Sequence, residues 1–233
     1  MTYPLVLLPG MMCDGRMFGP QIEAFGASRE LVVGDLTLCD TMTGLAEGLL
    51  DQLPGRFALA GLSMGGIVAM EMLRLAPERI ERLALLDTNP LAEAPEMQAR
   101  RAVQMDRVRT GALREIMRDE MKPNYLADGP RRTDILALCM EMAETLGPEA
   151  FLRQSIALRD RRDQTETLKA YRGPTLVLCG RDDIPCPFTR HELMHALVPG
   201  SELVIIEGAG HLPTLEQPDE TNRALATWLE KTA

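Results

Sequence analysis

Long hydrophobic runs are absent from this sequence of 233 residues. The longest, Leu5–Leu8 and Leu203–Ile206, are far shorter than the roughly 20 residues that cross a bilayer, so no transmembrane segment is predicted. Because no basic stretch precedes an apolar core at the N-terminus, no signal peptide is expected. A formal net charge of −9 offers no basic surface for nucleic acid and disfavours anionic membranes. Neither nucleic acid nor a membrane is therefore an expected partner.

Cysteines are few, and their spacing indicates neither a disulfide framework nor a zinc site. The chain has five, an odd number, and no two of them form a C-x-x-C pair. They are interpreted as small buried apolar residues in a reducing compartment, which predicts a cytoplasmic location. No metal or other cofactor is indicated.

Short apolar segments occur in the N-terminal and C-terminal parts of the chain and are predicted to be buried strands. Their continuous apolarity, without alternation, is typical of parallel strands covered on both faces. Helix-like stretches lie between the early strands, which predicts a doubly wound α/β core. The six predicted strands are Pro4–Leu8, Glu30–Val33, Arg56–Ala60, Arg82–Leu86, Thr175–Leu178 and Glu202–Ile206.

The strand–helix rhythm stops between residues 91 and 170. Four helices are predicted there, Pro95–Arg109, Ala112–Met121, Arg131–Thr145 and Pro148–Leu158, separated by glycine and proline. Residues 1–90 and 171–233 are thus predicted to form the core, and residues 91–170 an inserted helical lid. The insertion carries 14 basic and 14 acidic residues. This balance fits a solvated helical surface, with a preference for an anionic substrate as the alternative.

The strongest local signal is Gly61-Leu62-Ser63-Met64-Gly65, which lies between a predicted strand and a predicted helix. In that setting G-x-S-x-G predicts a sharp turn that exposes a nucleophilic serine. Glycines at both ends of the motif permit the tight turn. The helix that follows directs its free N–H groups and positive dipole end towards Ser63.

A serine nucleophile needs a base and an acid to orient that base. Of three histidines, only His211 follows a strand, in a glycine-containing loop at the sheet edge expected to hold Ser63. Asp182 and Asp183 follow the fifth predicted strand, in the order Ser–Asp–His typical of this kind of site. Asp87, which ends the fourth strand, is an alternative acid or a cap for its own turn.

Three segments together resemble the signatures of the α/β-hydrolase superfamily. They are Gly-Leu-Ser-Met-Gly-Gly at 61–66, Gly-Arg-Asp-Asp at 180–183 and Gly-Ala-Gly-His-Leu-Pro-Thr-Leu-Glu-Gln-Pro at 208–218. The likeness is greatest to the branch of esterases, enol-lactonases and C–C bond hydrolases with small helical lids. It implies an α/β-hydrolase fold with about six mostly parallel strands, and it selects Asp183 over Asp182 as the acid.

The resemblance also implies an oxyanion hole made by two backbone N–H groups. The loop Leu8-Pro9-Gly10-Met11 aligns with the family's His-Gly loop, although Pro9 replaces the histidine. Met11 and Met64 are therefore the expected donors. The catalytic set implied is Ser63, Asp183 and His211.

A competing motif is His191-Glu192-Leu193-Met194-His195, which matches the H-E-x-x-H of zinc metalloproteases. Its surroundings favour a surface helix with its polar face in water, because Val198 stands where one zinc family needs glycine and no third ligand is evident. No metal site is predicted.

The predicted function is that of a serine hydrolase acting on a small-molecule carboxylic ester, lactone or thioester through an acyl-enzyme. A C–C bond hydrolase of a vinylogous diketone and a weakly catalytic small-molecule receptor remain alternatives. The substrate itself and the oligomeric state are not predicted.

Overall fold

A six-stranded, fully parallel sheet forms the centre of the protein in this computed structural model, which describes residues 3–231. The predicted core ranges 1–90 and 171–233 therefore extend beyond the described residues by two positions at each end. The strand order is β2-β1-β3-β4-β5-β6. The strands are β1 Leu5–Leu8, β2 Leu31–Val33, β3 Phe57–Leu62, β4 Ile80–Leu86, β5 Thr175–Gly180 and β6 Glu202–Ile206.

Ten α-helices are assigned within the described residues. They are α1 Gly19–Phe25, α2 Met42–Gln52, α3 Met64–Leu75, α4 Pro95–Arg109, α5 Leu113–Glu115, α6 Arg132–Arg159, α7 Thr165–Ala170, α8 Phe188–Leu197, α9 Pro213–Glu216 and α10 Pro218–Glu230. Short 3₁₀ turns cover Gly15–Phe18, Pro77–Arg79 and Lys122–Asn124, and a π-helix covers Ile116–Met121.

The continuous apolar strands lie in the middle of the sheet, as their sequences predict. Every residue of β1, β3 and β5 is buried, whereas the edge strands β2 and β6 are mostly half-buried. Two apolar clusters cover the two faces, one including α2 and α3 and the other including α10 with the fully buried Trp228. Both faces of a parallel sheet are thus shielded from water. The predicted fold class is confirmed.

The stretch from 91 to 170 contains no strand and consists of helices and turns. The predicted helix Pro95–Arg109 has these bounds in α4. Two further predicted helices are joined in α6, where Gly147 breaks the helical geometry with a φ of 79°. The expected helix Ala112–Met121 is instead a short α-helical turn followed by the π-helix. Among the described residues, no helix combines the length and apolarity needed to cross a membrane.

Candidate active site

Ser63 lies in the sharp turn between β3 and α3. Its backbone has φ 55° and ψ −116°, a conformation that L-residues rarely adopt and that is often found at functional sites. A side chain at Gly61 would overlap the backbone of Gly65, and one at Gly65 would overlap the carbonyl oxygen of Leu8. The glycines of the motif therefore allow the turn to pack directly against β1.

A chain of hydrogen bonds joins three of the predicted site residues. His211 Nε2 lies 2.9 Å from Ser63 Oγ, and His211 Nδ1 lies 2.9 Å from Asp183 Oδ1. The side chains of His211 and Asp183 are almost completely buried, whereas Ser63 is half-buried. All three follow the carboxyl ends of parallel strands, which brings them to one edge of the sheet.

Asp183, and not Asp182, contacts the histidine. Asp183 Oδ1 also accepts the backbone N–H of Cys186 at 3.0 Å, while the side chain of Asp182 is exposed. Burial alone would raise the pKa of Asp183, but His211 and the hydrogen bonds to the carboxylate lower it below its ordinary value. Asp183 is therefore ionised beside the imidazole.

Asp87, the alternative acid, lies next to Asp183 without contacting His211. It is fully buried, and its Oδ1 accepts the backbone N–H of Gly180 at 2.9 Å. Oxygens of Asp87 and Asp183 approach within 4.8 Å of each other. Burial, and then the negative charge of Asp183, raise the pKa of Asp87 well above its ordinary value. The protonated form of Asp87 is thus favoured, and its proton can be donated to Asp183 Oδ2, which has no hydrogen-bond partner among the described residues.

Asp87→Asn is expected to stabilise the protein increasingly as the pH rises. Because the pKa of Asp87 is raised on folding, the folded state binds more protons, so this group's contribution to stability falls as the pH rises above its ordinary pKa of 3.8. An asparagine side chain can still accept the N–H of Gly180 and donate to Asp183, but it does not titrate. The thermal midpoint of the variant minus that of the parent should increase as the pH rises above about 4. Asp182→Asn, at an exposed carboxylate, is the control; a difference that stays constant with pH for Asp87→Asn would contradict a raised pKa at Asp87.

The predicted oxyanion donors lie close to Ser63. Met64 follows it in the chain, and Met11 lines the same cavity. A Cβ on Gly10 would lie 3.5 Å from the Cβ of Ser63, so the loop after β1 passes close to the serine. Within residues 3–231, the N–H groups of Met11 and Met64 donate no hydrogen bond outside regular secondary structure. Both are available to a ligand oxygen.

Gln154, in the second half of α6, fixes the loop that carries Met11. Its Oε1 accepts the N–H of Met12 at 2.9 Å, and its Nε2 donates to the carbonyl of Leu36 at 3.1 Å. Met12 has a positive φ of 55°, so the loop is held in an unusual conformation. Sequence reasoning missed Gln154 because 142 positions separate it from Met12 and no motif marks it.

Glu216 organises the loop around His211 from the inside. Its carboxylate accepts the N–H groups of Gly210 and Leu212 at 3.0 Å, which are the neighbours of His211 on both sides. It also accepts the N–H of Ala127 from the inserted helical segment at 2.8 Å. One carboxylate thus ties the histidine loop to the insertion. Glu216 belongs to the segment 208–218 that resembles the family signature, but its role was not predicted.

Glu216→Gln is expected to destabilise the protein by about 1.5–3 kcal/mol and to lower kcat more than it changes KM. The amide has one acceptor oxygen in place of two and directs an N–H donor at backbone donors. The histidine is then held less firmly. Thermal unfolding and steady-state kinetics measure both effects, with the exposed Glu220→Gln as the matched control. Unchanged stability and turnover would show that Glu216 does not position His211.

The H-E-x-x-H motif lies on α8, but its histidines have different environments. His191 is fully buried, and its Nε2 accepts the backbone N–H of Thr88 at 3.2 Å. Burial lowers its pKa to about 4, so it is uncharged. His195 is exposed and pairs through Nδ1 with Ser201 at 2.8 Å. The motif was expected to lie on a surface helix with its polar face in water. That expectation is wrong for His191, which instead supports the turn after β4. His195 is in neither potential metal-ligand group among the described residues.

A cavity of about 570 Å³ opens onto Ser63 and His211. Its wall comes from loops at the sheet edge, including Met11 and Cys186, and from the inserted segment, including Met97 and Tyr125. The Tyr125 ring packs edge-on against the His211 imidazole, with centroids 5.2 Å apart. The cavity can hold a small-molecule substrate next to the serine.

The parallel sheet places a serine and a histidine at its carboxyl edge, where they line a cavity, and this architecture is that of an α/β protein. The alpha/beta hydrolase family matches residues 5–224. The chain therefore belongs to the alpha/beta hydrolase family.

The chain is similar to several enzymes, some of them with solved structures. A thermophilic esterase from Thermogutta terrifontis, determined with malate bound, is 31% identical with a TM-score of 0.91, over 97% of this chain and 89% of the other. A pimeloyl-[acyl-carrier protein] methyl ester esterase of Legionella pneumophila is 27% identical over 93% of this chain and 90% of its own. The enol-lactonase of Burkholderia xenovorans shares the fold, with a TM-score of 0.87 at 22% identity over 99% and 93%.

Proposed function

We propose that this protein is a serine hydrolase that cleaves a carboxylic ester, a lactone or a thioester. The observation that carries the proposal is the continuous chain of 2.9 Å contacts from Ser63 through His211 to Asp183. The esterase relatives support an ester as the substrate class.

In the proposed reaction, Ser63 Oγ attacks the substrate carbonyl while His211 Nε2 takes its proton. Ionised Asp183 holds the other ring nitrogen as the donor and stabilises the imidazolium that forms. The N–H groups of Met11 and Met64 bind the developing oxyanion, and such donors contribute roughly 3–4 kcal/mol each to the transition state. His211 then protonates the leaving alcohol, and water cleaves the acyl-enzyme.

Residues 91–170 are proposed to act as the lid of this site. Met97, Arg101 and Tyr125 from this segment line the cavity that contains Ser63. The substrate would bind between them and the sheet edge. A cytoplasmic location also remains part of the proposal and is supported by the five free thiols.

Activity profiling over p-nitrophenyl esters of graded acyl length, lactones, acyl thioesters and a ring-fission dienone tests the proposed function. We expect turnover of at least one ester, lactone or thioester, inactivation by a serine-directed phosphonate, and no effect of a metal chelator. Turnover of the dienone alone would favour the C–C bond hydrolase. Loss of activity with the chelator and none with the phosphonate would overturn the proposal.

A further inference from the structure

Two arginines share one glutamate in the wall of the cavity. Arg101 donates from Nε to Glu93 Oε2 at 2.9 Å, and Arg161 donates from Nη1 to Glu93 Oε1 at 2.9 Å. The three side chains are only 12%, 8% and 5% exposed for Arg101, Arg161 and Glu93. One carboxylate balances one guanidinium, so the cluster has one positive charge that no side chain within it neutralises.

The rest of the described cavity wall does not supply the missing negative charge. Arg100 and Arg190 also line it, and the only other acidic residue in the lining is Glu120. Glu120 is already paired with Arg107, which lies outside the lining, and accepts a hydrogen bond from Gln104 at 3.0 Å. A protein with a net charge of −9 thus has four arginines and two glutamates around its cavity. Such a cleft concentrates anions near the site.

An unbalanced guanidinium is costly on side chains as buried as those of Arg101 and Arg161. Burial lowers the pKa of Arg161, but arginine stays protonated in proteins, so the charge persists. A ligand carboxylate would offset the cost, because it can accept charge-assisted hydrogen bonds from the guanidinium N–H groups that Glu93 does not occupy. The bonds of Arg161 to the carbonyls of Leu91 and Leu158 fix it in place.

The cluster lies close to the reacting groups. Arg101 Nη1 is 3.5 Å from Met11 Sδ, and the backbone N–H of Met11 is a proposed oxyanion donor. Both arginines line the same cavity as Ser63 and His211. A group bound by the arginines can therefore belong to the molecule that Ser63 attacks.

We propose that Arg101 and Arg161 form a carboxylate-binding subsite, and that the substrate is an ester or lactone carrying a free carboxylate. This inference rests on the proposed function for its hydrolytic part. Arg101 is the residue to vary, because its loss leaves Glu93 paired with Arg161 and creates no orphan charge.

The test compares kcat/KM for substrate pairs that differ by one carboxylate. The first pair is mono-p-nitrophenyl succinate and p-nitrophenyl butyrate, in which the carboxylate is on the acyl group. The second pair is 4-carboxyphenyl butyrate and phenyl butyrate, in which the carboxylate is on the leaving group. We expect the parent to prefer the anionic member of one pair by about tenfold, or ~1.4 kcal/mol. Arg101→Met should abolish most of that preference, and Arg101→Lys should retain part of it. Arg109→Met is the matched control, since Arg109 is on the same helix, exposed, and paired with Asp106.

Binding provides a readout that does not depend on catalysis. Succinate should raise the thermal midpoint of the parent more than butyrate does, and Arg101→Met should remove the difference. No anionic preference in either pair, or a preference that Arg101→Met leaves intact, would overturn the subsite. Failure of the proposed function would be recognised differently, by no hydrolysis of either pair or by hydrolysis that persists in Ser63→Ala. In that case the change in thermal midpoint caused by succinate still tests the subsite.

Discussion

Ser63→Ala is expected to lower kcat by about a millionfold, as the loss of the nucleophile does in other serine hydrolases. The variant keeps His211, Asp183 and the two backbone donors, but no atom remains that can form an acyl-enzyme. A residual rate of roughly 10³–10⁴ over water is expected from the oxyanion hole and substrate binding. Steady-state kinetics on the best ester found in profiling measures the loss.

The Ser63→Ala variant should fold normally, because the half-buried hydroxyl bonds only to His211 among the described residues. Ser28→Ala, at an exposed serine far along the chain from the site, is the matched control and should retain full activity. Turnover within tenfold of the parent in a folded Ser63→Ala variant would show that another group attacks the substrate.

Asp183→Asn is expected to lower kcat by about 10⁴-fold. An asparagine amide can place its N–H against His211 Nδ1 and so favour the wrong tautomer, in which Nε2 carries the proton and cannot accept one from Ser63. It also removes the negative charge that stabilises the imidazolium. Kinetics at a pH where the parent is most active measures the effect.

Two neighbouring aspartates serve as controls for Asp183→Asn. Asp182→Asn should behave like the parent, since the side chain of Asp182 is exposed. Asp87→Asn should cost far less than Asp183→Asn, because an asparagine there can still accept the N–H of Gly180 and donate to Asp183. If Asp87→Asn instead caused the larger loss, Asp87 would be the orienting acid.

The fold was largely predictable from the sequence because its signals are local. Strands covered on both faces of a parallel sheet need continuous apolar runs, and all six runs became strands, with ends shifted by a few residues. β3 extends to Leu62 and so reaches into the serine motif. The expected break between the last two predicted helices falls at Gly147, since only glycine adopts its positive φ easily.

The site was predictable only where a motif marked it. Ser63, Asp183 and His211 were found because each follows a strand and belongs to a recognisable segment. Gln154 and the cluster of Glu93, Arg101 and Arg161 were not found, because their contacts join distant parts of the chain. Residue types alone did not distinguish the buried His191 from the exposed His195, since burial depends on how α8 packs against the turn after β4.

Rapid acid quenching during turnover, followed by peptide mass spectrometry, tests the central claim most directly. With a slowly hydrolysed acyl ester or thioester, we expect the mass of the acyl group on the peptide that contains Ser63, and none in Ser63→Ala. An acyl group on another residue, or turnover without any covalent adduct on Ser63 while Ser63→Ala remains active, would contradict the account.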